Sequence, residues 1–193
     1  MAVGDPEGSP GVGRSLVTAF DLVWARFLDR LAGLGNDEYF WAPVPGCWSL
    51  RRGHDGRWIL DGEGGGNGAG QRAAPDPPPI TTIAWRIGHV GGLALGGFAA
   101  RRFGAGALDV GDIQFPGRAA DAITFLEDNY ARWRDGIAKM TDAEWWSTLG
   151  PAWGPYAEAS SADLALHVLD EVVHHCAEIG LLRDLYLHRS ALG

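Results

Sequence analysis

The stretch from Leu164 to Leu187, LALHVLDEVVHHCAEIGLLRDLYL, constrains this chain more than any other. Wound as an α-helix at about 100° per residue, it brings His167, Glu171, His174, His175 and Glu178 into a sector of roughly 100°. Val168, Leu169, Val172, Val173, Cys176 and Ile179 fall on the opposite side. A helix with one apolar side has to pack that side against something. Surface helices usually solvate their polar side with long Lys and Glu chains. Three imidazoles and two carboxylates in one stripe instead match the ligands of a transition-metal site.

The rest of the chain supplies partners for such a helix. Leu16, Val17, Phe20, Val23, Trp24, Phe27, Leu28, Leu31 and Leu34 recur at three- and four-residue spacing and predict a first helix from about Ser15 to Leu34, ended by Gly35. Thr81 or Thr82 caps a second helix that runs to Phe103, and a third spans Ala119 to Met140. Thr141 with Glu144 forms a capping box for a short turn, and Ser160 with Asp163 opens the last helix. Strand signals are few: Trp48–Arg52 and Arg57–Leu60 can pair as a small hairpin. A Gly/Pro-rich loop follows, GEGGGNGAGQRAAPDPPP. The expected fold is therefore all-α, a four-helix bundle with a long Gly/Pro-rich loop and a small hairpin between helices 1 and 2. Residues 1–14 read as a flexible arm and residues 15–193 as one domain.

Composition narrows the function. The chain has 193 residues, 46% of them hydrophobic, with nine Trp, which is enough for a core. A net charge of −8 and a single lysine, Lys139, argue against a nucleic-acid partner, which needs a basic face. The apolar run Ile83–Ala100 contains Arg86 and His89, so no membrane span is expected. Cys47 and Cys176 cannot build a disulfide framework, and the start lacks the order of a signal peptide, so the expected location is cytoplasmic. Cys176 reads as a small buried hydrophobe, and Cys47, on a loop, lacks a nearby base in sequence.

Ligand spacing leaves two pairings on the last helix. Glu171 with His175 and His167 with Glu171 are both i, i+4, so either pair can hold one ion. The further ligand has to come from another helix, where His89 is the only histidine. The plainer alternatives are a satisfied core histidine at position 89 and an intrahelical Glu–His pair on an exposed face.

The helix-2 stretch TTIAWRIGHVGG and the last-helix stretch HVLDEVVHHCAEIGLLRDLY resemble the DinB superfamily, the YfiT-like metal-dependent hydrolase fold, over about residues 15–188. That resemblance implies a four-helix bundle whose divalent ion is bound by His89, Glu171 and His175. Glu at position 171 is closest to the mycothiol-dependent maleylpyruvate isomerase branch, where the i, i+4 pair is Glu and His. The Gly-rich insertion at 62–79 and the extra His167 and His174 depart from the family pattern. The implied activity is metal-dependent S-transfer or isomerisation with a low-molecular-weight thiol such as mycothiol and an electrophilic substrate. His167 or His174 would then move the thiol proton. Arg86 and Trp85, one turn before His89, are the candidate cofactor contacts, with Arg86 holding a substrate carboxylate. Zn²⁺ is the first choice of metal, with Ni²⁺ or Fe²⁺ also suited to a His₂Glu set, and a homodimer is the expected assembly. The competing reading is a non-catalytic bundle that keeps an ion for structure, or binds a ligand without turnover, in a stress response.

Overall fold

A computed structural model describes residues 11–63 and 75–191. Helix α1 (Val12–Leu31) buries Leu16, Phe20, Trp24, Phe27 and Leu31, the inward stripe of its three- and four-residue repeat. It ends short of Leu34 because Gly33 takes φ +76°, a left-handed turn that a residue with a Cβ resists. Val12, Gly13 and Arg14, expected in the N-terminal arm, are helical; residues 1–10 of that arm lie outside the described residues. A single turn, α2 (Asn36–Tyr39), follows.

The expected hairpin is present. β1 (Leu50–Arg52) pairs antiparallel with β2 (Trp58–Leu60), with Leu50 opposite Leu60. Both leucines are buried and anchor the hairpin to the core. The chain just before β1 is also tied to the start of the second long helix: Trp48 N–H donates to Ile80 O, and Thr82 N–H donates to Trp48 O. Most of the Gly-rich insertion after β2 lies outside the described residues.

The second long helix has three parts: α3 (Ile83–Ile87), a π-wound segment (Gly88–Gly97) and α4 (Phe98–Phe103). Thr82 caps it, its hydroxyl accepting from Trp85 N–H. The apolar pattern predicts plain α-helix throughout, whereas the middle is wound wider. Glycines without Cβ tolerate that winding and permit close packing. A Cβ on Gly91 would stand 2.7 Å from the Phe125 ring.

Capping boxes open α6 (Asp142–Trp145) and α7 (Ser161–Leu187) as the sequence predicts, after α5 (Ala119–Ala138). α1 packs against α5 and α7, and the π segment packs against the same two helices. The four long helices thereby close around one core containing Phe20, Ile87, Leu126, Trp133, Val168 and Val172. The fold is an all-α four-helix bundle. One buried ion pair locks its edge: Arg183 on α7 donates to Glu38 Oε1 at 2.7 Å and Oε2 at 3.2 Å, and to the carbonyls of Arg30 and Ala32 at the end of α1. Among the described residues no helix is long and apolar enough to cross a membrane.

Candidate metal centre

The polar stripe of α7 does not face one environment. Ser160 and Asp163 set the start of the helix, and Val168, Val172, Cys176 and Ile179 are buried. Glu171 and His175 sit at the margin of that buried arc, facing the second long helix. Val173, expected on the apolar side, is 44% exposed; the arc is narrower than the wheel suggests because only α1 and the second helix flank α7 closely.

His89 stands in the first turn of the π segment, opposite that margin. Its Nε2 lies 3.3 Å from Glu171 Oε2, and the same oxygen lies 3.3 Å from His175 Nε2. One donor atom from each of His89, Glu171 and His175 falls within a 4.8 Å cluster. The His89 and His175 rings meet edge to face, with centroids 4.8 Å apart. Two imidazoles and one carboxylate converging this closely fit a divalent transition metal. His89 Nδ1, the ring nitrogen outside this cluster, is buried.

The second helix and α7 also determine how the rings point. His175 Nδ1 lies 2.7 Å from Glu178 Oε2, and Glu178 is in turn ion-paired with Arg86. An ion on His175 Nε2 would put the ring proton on Nδ1, where Glu178 accepts it; without one, Nδ1 lies 2.9 Å from Arg86 Nη1 and Nε2 faces Glu171. Trp85 stacks on His89 with its ring 4.9 Å away and 9° from parallel, and its Nε1–H donates to Asp61 O at 2.7 Å.

Charge follows the geometry. Hydrogen bonds from His175 and His89 hold the Glu171 carboxyl well below the usual carboxylate range. Burial opposes charging His89, but the neighbouring Glu171 and Glu63 carboxylates outweigh it and raise its pKa to about 9. For His175 burial prevails over Glu171 and, with the nearby His89 and Arg86 charges, lowers the pKa. Burial lowers Arg86 to about 10.

The other candidates are placed as follows. His167 is half exposed; its Nε2 is 3.9 Å from Glu171 Oε1 and its ring meets Phe98 edge to face. His174 is exposed and bonded to Glu178 Oε1 at 3.0 Å, behind His175 rather than beside His89. Arg86 and Trp85, expected as cofactor contacts, are engaged within the protein: Arg86 with Glu178 and His175, and Trp85, 7% exposed, with His89 and Asp61. Burial pushes the Cys176 thiol up, so it stays protonated in the core. His54 and His188 are exposed. Sequence reasoning missed Glu63, whose Oε1 lies 3.2 Å from His89 Nδ1. It stands at the edge of a glycine-rich loop, where no periodicity marks it.

Comparison with curated proteins and with solved structures gives no significant match. The profile of the DinB superfamily matches residues 19–179, which span the four helices and all three clustered residues. The chain belongs to the DinB superfamily.

Proposed function

We propose that the protein is a divalent-metal-dependent enzyme that activates a low-molecular-weight thiol, of the mycothiol type, for S-transfer or isomerisation of an electrophile. The observation that carries this is the convergence of His89 Nε2, Glu171 Oε2 and His175 Nε2 from two helices on one point. These residues would hold the ion, with Zn²⁺ first and Ni²⁺ or Fe²⁺ also suited to the set. When bound, such a dication would supply the Lewis acidity that lowers a thiol's pKa towards neutrality.

The chain's own groups then do the rest. Glu178, held by Arg86, keeps His175 in the tautomer that offers Nε2. His167, 53% exposed and 3.9 Å from Glu171 Oε1, takes the thiol proton in this reading and returns it to the product. His174 is turned towards Glu178 and is the poorer base for this step. Phe98, whose ring meets that of His167 edge to face at 5.6 Å, offers an apolar contact for the electrophile.

The test uses untagged protein loaded with Co²⁺. Mycothiol, bacillithiol or glutathione added to it should produce a thiolate-to-metal charge-transfer band, abolished in His89→Ala. Metal binding with no such band for any thiol would leave a structural ion site and sink the catalytic reading.

A further inference from the structure

Glu63 reaches the site by a built route. Leu60, at the end of β2, is buried in the core. At the next residue, Asp61 Oδ2 accepts from Ser49 N–H at 2.9 Å and from Arg51 Nε at 2.8 Å, and Asp61 O accepts from Trp85 Nε1. Gly62 then takes φ +78° directly against the Trp48 ring, where a side chain would collide. This turn brings the carboxylate of Glu63 to His89 Nδ1, with Oε1 3.2 Å away. Trp85 thus holds both partners, stacking on His89 and bonding the turn that carries Glu63.

We propose that Glu63 is a positioning residue of the metal centre: its carboxylate accepts the Nδ1 proton of His89 and so presents Nε2 to the ion shared with Glu171 and His175. The inference rests on the metal reading above. An ion on Nε2 forces the ring proton onto Nδ1, and that buried atom then needs an acceptor. Glu178 already gives His175 the same support, so each imidazole has a carboxylate behind it. Charge balance agrees. Glu63, Glu171 and Glu178 are three negative charges, Arg86 returns one positive, and a dication brings the centre to neutrality.

The experiment is a chelator-competition titration of untagged full-length protein with Zn²⁺, comparing wild type, Glu63→Ala, Glu63→Gln and His89→Ala. Glu63→Ala should bind about 10- to 100-fold more weakly. Glu63→Gln, whose amide oxygen still accepts from Nδ1–H, should recover most of that loss, and His89→Ala should lose more than either. In the zinc-loaded wild type the His89 Nδ1 proton should give a slowly exchanging, downfield NMR signal that persists in Glu63→Gln and vanishes in Glu63→Ala. Equal affinity of wild type and Glu63→Ala overturns the assignment and leaves the metal reading standing. Glu63→Gln as weak as Glu63→Ala, with an altered Co²⁺ visible spectrum, overturns positioning in favour of direct ligation by Glu63. Absence of binding by wild type overturns the metal reading and this inference together.

Discussion

His175 and Glu178, three residues apart on α7, face each other at 2.7 Å between Nδ1 and Oε2, so the carboxylate sits behind the imidazole on the side away from the cluster. The helix alone permits this pair, but Arg86 from the second helix completes it by taking the same carboxylate oxygen. If His89, Glu171 and His175 hold the ion as proposed, Glu178→Ala should weaken metal binding by about 10- to 100-fold without abolishing it, since those three side chains remain. Isothermal titration with Zn²⁺ measures this. An unchanged affinity would show that the ring of His175 is held by packing alone.

Stability of the metal-free protein should depend on pH through His89. Its pKa rises from an ordinary 6.5 to about 9 in the folded chain. A raised folded-state pKa stabilises fully below the unfolded value and is lost as pH climbs through the folded value. Chelator-treated protein should therefore lose stability between about pH 6.5 and 9, by up to about 3 kcal/mol. In His89→Gln this slope should disappear. A urea-unfolding series across that range reads both; a flat wild-type profile would show that Glu171 and Glu63 do not hold a protonated His89.

The Glu38–Arg183 pair is a separate structural device. Glu38 is 5% exposed and Arg183 9%, and the guanidinium also binds the carbonyls at the end of α1. Glu38→Ala strands a buried cation and should cost about 3–5 kcal/mol. Because the pair stands apart from His89, Glu171 and His175, metal affinity per folded molecule should stay at the wild-type level. Denaturant melts alongside zinc titration separate the two effects.

The π segment makes a packing prediction. The Cβ of Gly91→Ala would lie 2.7 Å from the Phe125 ring, so α5 and the second helix must separate. Overpacking of this kind costs about 1–3 kcal/mol. Since His89 rides on the same segment, the variant should also bind zinc more weakly. A variant with wild-type melting temperature and affinity would mean that Phe125 rotates away without strain.

The four long helices and their caps were legible because helical signals are local. A residue at i reports on i+3 and i+4, and Thr141–Glu144 and Ser160–Asp163 act within one turn. The same reach made Glu171 and His175 visible as a pair, and the scarcity of histidines elsewhere singled out His89. The π winding was not legible, since glycines permit it without demanding it.

By itself, then, the amino-acid sequence determined an all-α bundle and the residues able to meet at a metal, because helix periodicity and ligand chemistry are written in short spacings. Tertiary structure decided what each polar group does there. Arg86 pairs with Glu178, Trp85 stacks on His89, and Glu63 reaches His89 from a loop between other elements. Those roles depend on distances between separate elements, and an electrostatic contact of a few ångströms across a bundle has no period in the sequence that could announce it.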